Sequence, residues 1–177
     1  MWETIAREAA AESRLWEAAL LPVDEWDMIP LFSPLGEGRF ALGVETIYEG
    51  YLLHYGHPRL FAPETPETAL LLGDYLYAHG LVRVAARRDV QAVADLAELI
   101  SLCAHLRADG REGDGWAWAA TVAALGRGAL GPGRSALRAG DAGPLADLAR
   151  RASDAERVQR ALALHGARTE SVTVESR

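Results

Sequence analysis

Residues 45–110 read ETIYEGYLLHYGHPRLFAPETPETALLLGDYLYAHGLVRVAARRDVQAVADLAELISLCAHLRADG, and the spacing of apolar residues in this stretch decides the fold. From Ala41 to Tyr55, Leu42, Ile47, Tyr48, Tyr51 and Leu52 recur at helical spacing and are the candidate inward positions of a helix. Gly56, Pro58, Pro63 and Pro66 interrupt the chain after it. Thr65 followed by Pro66 then marks a new helix start. The threonine hydroxyl accepts from a free backbone N–H, and proline suits the first helical position because no N–H is needed there. This helix runs to about Ala86. Its Gly73 and Gly80 lie two turns apart on one face and allow a neighbour to approach closely. Asp89 caps a third helix from Val90 to Leu106, with Val93, Leu96, Ile100, Cys103 and Leu106 inward and Gly110 as its stop.

Outward from this centre the pattern stays helical. Residues 2–20 read as one amphipathic helix with Ile5, Ala9, Leu15, Trp16 and Ala19 on its apolar stripe, ended by Pro22. The segment 23–29, bracketed by prolines, is at most a short helix, and 33–39 is a loop. Beyond the polar turn 109–115 a helix is expected at 116–125. The Gly-rich break 128–133 follows, with shorter helices near 134–139, 143–152 and 153–165. No stretch reads as a sheet strand; Val172 to Val174 alternates alone near the end. The expectation is an all-α, compact multi-helix bundle: one helical domain over 1–165 and a flexible polar tail over 166–177. At 177 residues, half of them apolar, the chain suffices for one well-buried core.

Composition removes several function classes. All 18 basic residues are Arg, so neither a Schiff-base lysine nor a phosphate-loop lysine exists. A net charge of −7 without a basic block disfavours nucleic acid. The single cysteine, Cys103, allows no internal disulfide or multi-cysteine zinc site and reads as a buried small hydrophobe. No apolar run reaches membrane-spanning length, and no basic-then-apolar leader opens the sequence, so a cytoplasmic location is expected.

The densest polar and aromatic cluster is Tyr48, Glu49, Tyr51, His54, Tyr55 and His57. Together with Asp74 and Tyr77 of the next helix, Tyr48, Tyr51, His54 and His57 are the candidate ligand-lining residues. Glu45 and Glu49, four apart, share a helical face. With His54 or His57 they form a candidate carboxylate–imidazole metal site, although the repeated Glu-x-x-His spacing of di-iron bundles does not occur. A hydrogen-bonded core or rim cluster is the competing reading. Asp74 and Glu98 approach one another if their helices pack antiparallel, a pair suited to acid–base work. Ser33, Ser101 and Ser135 sit in no nucleophile motif. Trp116 and Trp118, two apart, point to different faces, one inward and one available to a partner.

The segment 45–110, just over a third of the chain, resembles the middle of the trans-prenyl diphosphate synthases of the polyprenyl synthetase family. The resemblance is carried in order by Glu45-Thr46-Ile47-Tyr48-Glu49, Tyr55-Gly56-His57-Pro58, Leu72-Gly73-Asp74-Tyr75-Leu76, and the helix from Leu99-Ile100 to Gly110. It implies a shortened isoprenoid-synthase-like core. The family's aspartate-rich magnesium motifs are missing: Glu45 and Glu49 stand at the first, and only the isolated Asp141, Asp147 and Asp154 fall near the second. Gly38-Arg39 is a poor substitute for its Gly-Gly-Lys-Arg element. Prenyl transfer needs several metal ions and cations around a departing diphosphate. The resemblance therefore implies a non-catalytic accessory or interaction protein. Such a protein would be a subunit of a larger assembly, or would hold an apolar ligand between helices 41–55, 67–86 and 90–107. Association with a protein partner or with itself is expected, and no cofactor. The alternative is a divergent metal-dependent enzyme using magnesium at Glu45, Glu49 and His54.

Overall fold

Thr65 opens the longest helix as its sequence requires: the side chain accepts from Thr68 N at 3.2 Å, and Pro66 is the first helical residue. In the computed structural model, which describes residues 1–169, this helix (α4, Pro66–Ala85) follows α1 (Trp2–Glu12), α2 (Arg14–Ala18) and α3 (Ala41–Tyr55). It precedes α5 (Val90–Ala108), α6 (Asp114–Ala123), α7 (Gly131–Arg138), α8 (Gly143–Ala152) and α9 (Ala155–Thr169). Short 3₁₀ turns occupy Val23–Glu25, Ser33–Leu35 and Gly38–Phe40. Among the described residues no strand forms; one isolated bridge pairs Leu20 with Phe61. The architecture is all-α, and no described helix is long and apolar enough to cross a membrane.

Two helices run through the interior. Every residue of α3 from Gly43 to Leu53 is buried, including Glu45 and Glu49 on one face. The second is α6, buried continuously from Ala117 to Ala123 with Trp118 1% exposed. The Trp118 ring stacks on Phe32 at 5.5 Å and meets Tyr48 and Tyr51 edge-on at 5.0 and 5.6 Å. Around this centre α3, α5, α6, α8 and α9 form the main core. Helices α1 and α2 close a second, smaller one over α3 and α4 through Trp2, Ile5, Leu53, Leu72 and Leu76.

The tightest approach is between α3 and α4. A Cβ on Gly50 would lie 2.8 Å from Gly73 O, and one on Gly80 would lie 2.9 Å from Gly43 O. Gly43 therefore faces Gly80 while Gly50 faces Gly73, the register of an antiparallel pair. The shared face expected of Gly73 and Gly80 is thus used for backbone-to-backbone contact.

Several element boundaries differ from the sequence reading: α7 begins at Gly131, within the expected Gly-rich break, 3₁₀ turns form in the expected loop 33–39, and three further differences have a local reason. Residues 2–20 form two helices, because Ser13 is extended and its hydroxyl accepts from Leu15 N at 3.1 Å, starting a new helix. Leu15 consequently points outward at 47% exposure. Gly113, at φ 114°, turns the chain early, so α6 starts at Asp114 and not at Trp116. Helix α9 continues past residue 165 to Thr169; the rest of the expected tail, 170–177, with the Val172–Val174 alternation, lies outside the described residues.

The glycine register makes a direct prediction. Gly80→Ala should cost about 1–3 kcal/mol in equilibrium unfolding, since its Cβ would meet backbone that cannot easily withdraw. Gly166→Ala, where a Cβ meets nothing within 4 Å, should be neutral or stabilise by about 0.5–1 kcal/mol.

Candidate functional site

Glu45 and Glu49 do share a face of α3, and that face is sealed in the protein interior around Arg59. All three side chains are 0% exposed. Arg59 Nη1 donates to Glu45 Oε2 at 2.7 Å, and Nε donates to Glu49 Oε2 at 2.9 Å. The remaining carboxylate oxygens are also taken: Glu49 Oε1 accepts from the backbone N–H of Arg59 and Leu60 at 2.7 and 2.8 Å, and Glu45 Oε1 accepts from Ser33 N at 3.0 Å. Nη2 donates to Glu45 O at 3.2 Å, and the guanidinium lies 4.6 Å from the Trp2 ring centroid. Burial works against the Arg59 charge, and the two carboxylates overcome it, raising its pKa above the ordinary guanidinium value.

The oxygens expected to hold a divalent ion are thus occupied by a cation of the chain itself. His54, the third member of that set, faces α4: its Nε2 lies 3.3 Å from Asp74 Oδ1, and its ring stacks on Tyr77 at 5.0 Å and 18°. Among the described residues, no group of three or more His, Cys, Asp or Glu is placed to hold a metal ion. A magnesium ion at Glu45 and Glu49 would have to displace Arg59 and three backbone donors.

The other residues of the expected cluster divide between interior and rim. Tyr48 and Tyr51 are buried and stacked at 5.8 Å, whereas His57 and Asp74 are exposed. Asp74 does not meet Glu98, which pairs instead with Arg138 at 3.1 Å. Trp118 is the inward tryptophan; half-buried Trp116 carries the Arg150 guanidinium 4.7 Å from its ring centroid.

Tyr48 and Tyr51 lead to a second polar network that the sequence reading did not assemble. Tyr51 Oη donates to Asp114 Oδ2, and Arg107 Nη2 donates to the same oxygen at 2.6 Å and to Tyr51 Oη at 2.8 Å. Tyr48 Oη is 3.0 Å from His165 Nδ1, whose Nε2 lies 3.4 Å from Asp114 Oδ2, a charge contact longer than a formed hydrogen bond. Burial disfavours the charged carboxylate. The close approach of His165, the hydrogen bond from Tyr51 and the charge of Arg107 outweigh it and hold Asp114 well below the usual carboxylate range. Burial pushes the Tyr51 phenol far up, with Asp114 adding to the effect, so it stays protonated as a donor.

This network reaches the surface where the C-terminal turns of α3, α5 and α9 meet the start of α6. Two adjoining clefts open there. One, of about 410 Å³, is lined by Arg107, Arg111, Glu112, Asp114 and His165 among others; the second, of about 480 Å³, by His54, Tyr55, Ala104, Arg107, Ala108 and Thr169. Arg107 and Thr169 border both. The space between α3 and α4, by contrast, is closed by the glycine contacts.

Arg59, Arg107, Asp114 and His165 are the residues missed. Arg59 had one legible signal, a lone charge in the otherwise apolar run Leu60-Phe61-Ala62 after Pro58. Asp114 was visible only as part of a polar turn, and His165 as an isolated histidine.

Compared with protein-family models, curated proteins and solved structures, the chain matches none.

The depressed Asp114 pKa fixes a sign. Its stabilising contribution is present above the unfolded carboxyl pKa of about 3.9 and is lost as pH falls toward the lower folded value. Asp114→Asn should therefore reduce stability near neutral pH by about 1–3 kcal/mol. The gap to wild type should close below about pH 4, read as urea unfolding across pH.

Proposed function

We propose that this chain is a non-catalytic helical accessory protein that works by presenting a helix face to a protein partner. The observation that carries the reading is an uncovered apolar stripe on α4. Leu71, Ala78, Val82 and Ala85 recur at helical spacing on its outer side, and Val90 at the start of α5 borders the same small cleft as Ala85. Leu71 is 55% exposed, Val82 64% and Val90 83%. Large side chains this exposed favour association, because covering them removes apolar surface from water. The inner side of the same helix is locked against α3, so the stripe is held on a rigid support.

The state of the central carboxylates supports the non-catalytic side of the proposal. Glu45 and Glu49 act as the anchor of Arg59, a structural use that consumes every oxygen. The resemblance of residues 45–110 to trans-prenyl diphosphate synthases supplies a candidate partner: a full-length enzyme of that class, or a second copy of this chain. The support for that choice is motif order alone.

Light scattering after size exclusion tests the proposal. The chain alone, or mixed with a trans-prenyl diphosphate synthase, should run above its 19.1 kDa monomer mass. Val82→Glu with Val90→Glu should restore the monomer while leaving unfolding within about 0.5 kcal/mol of wild type. A wild-type chain that remains monomeric alone and in the mixture contradicts it.

A further inference from the structure

We infer that the cleft between His54 and Arg107 is a binding site for a small organic monoanion of the carboxylate class carrying an aromatic or short apolar body. This is independent of the partner reading, since the cleft lies at the C-terminal ends of α3 and α5 and does not involve the α4 stripe. Among the described residues its polar lining consists of an imidazole, a phenol, a guanidinium and a hydroxyl, from His54, Tyr55, Arg107 and Thr169, with no carboxylate among them. A lining with hydrogen-bond donors and no fixed negative charge is complementary to an anion.

Two of these groups are held ready. Arg107 is fixed through Nε and Nη2 by Tyr51 and Asp114, while its Nη1 makes no hydrogen bond among the described residues. His54 has a side chain only 9% exposed, and its Nε2 is buried without a hydrogen bond among the described residues. That nitrogen faces α4: a Cβ on Gly73 would lie 2.5 Å from Nε2, with Cδ2 and Cε1 next nearest, which leaves Nδ1 on the edge of the ring away from Gly73. An anion between Nδ1 and Arg107 completes an alternating series: Asp74, protonated His54, the anion, Arg107, Asp114.

The charge and shape of the ligand follow from the same walls. Helices α3 and α5 both end here, at Tyr55 and Ala108, and their carbonyl ends carry partial negative charge. That field opposes a dianion such as phosphate more strongly than a monoanion. Tyr55, Ala104 and Ala108 supply an apolar wall for the body of the ligand.

The groups facing His54 are Asp74 and Tyr77 on α4, Tyr55 on α3 and Arg107 on α5. Burial lowers the proton affinity of the ring, with Asp74 opposing that effect. A bound anion adds a second negative neighbour, so binding takes up a proton and tightens as pH falls.

Nuclear magnetic resonance titration of the full chain with benzoate, benzamide and inorganic phosphate provides the test, read at the His54 ring signals. Benzoate should shift them saturably and bind at least about fivefold tighter near pH 6 than near pH 8. Benzamide should give no saturable shift, and phosphate should bind more weakly than benzoate. Ala108→Leu, an exposed helix-end change that fills the cleft without touching the buried network, should weaken benzoate by about tenfold or more, close to 1.4 kcal/mol. Any of three results overturns the inference: no saturable benzoate shift up to about 20 mM, phosphate binding tighter than benzoate, or benzoate binding undiminished in Ala108→Leu.

Discussion

Three charges held entirely out of water set the terms for this fold. Arg59 sits between Glu45 and Glu49 with every carboxylate oxygen satisfied. Placing such groups in a low-dielectric interior costs several kcal/mol each, and their mutual attraction repays this only when the geometry is complete. Completeness here requires two loops to be in place. The 29–33 segment contributes the Ile29 carbonyl, 3.3 Å from Arg59 Nη1, and the Ser33 N–H. The 59–60 segment contributes Arg59 itself and two backbone donors. The triad thus fastens the irregular chain on either side of α3 to that helix, where proline-rich loops alone would be poorly held.

With α3 fixed in this way, its other faces become packing surfaces. One accepts α4 at glycine-to-glycine distance. Another carries Tyr48 and Tyr51 against Trp118 of α6 and into the Asp114 network. The interior therefore holds two charge systems of different character. The Glu–Arg–Glu triad is closed and has no free polar atom to offer a ligand. The Arg107–Asp114–His165 system borders open clefts, and among the described residues Arg107 Nη1 makes no hydrogen bond. Along α3 the two systems are carried on different faces, Glu45 and Glu49 on one and Tyr48 and Tyr51 on another.

Much of the framework was legible because it rests on local signals. The Thr65-Pro66 start, the Asp89 cap and the Gly73/Gly80 face depend on neighbours a few residues away, and all three appear in the structure. The burial of Cys103 follows from its apolar neighbours in the same way. The polar contacts were less legible because their partners are distant. Glu45 and Glu49 were recognisable as a pair on one face, but their counter-ion is 14 and 10 residues away across a proline-containing loop. Tyr51 and Asp114 are separated by 63 residues, and Tyr48 and His165 by 117. Paired carboxylates at helical spacing suit a metal ion and a buried arginine equally well. Only the tertiary position of Arg59 distinguishes them. The break at Ser13 belongs to a third kind: its capping hydroxyl was present in the sequence, yet the apolar periodicity continued smoothly across it.

Equilibrium unfolding of Arg59→Met across pH measures the central interaction most directly. Methionine fills much of the volume but leaves two buried carboxylates without their cation, so the variant should lose about 3–5 kcal/mol near neutral pH. The orphaned carboxyls then have folded pKa values above their unfolded ones, and the stability they contribute on protonation is present at acid pH and lost as pH rises. The deficit relative to wild type should therefore narrow as the solution is acidified through the carboxylate range. A variant within about 1 kcal/mol of wild type at neutral pH, with no such pH dependence, would contradict the account.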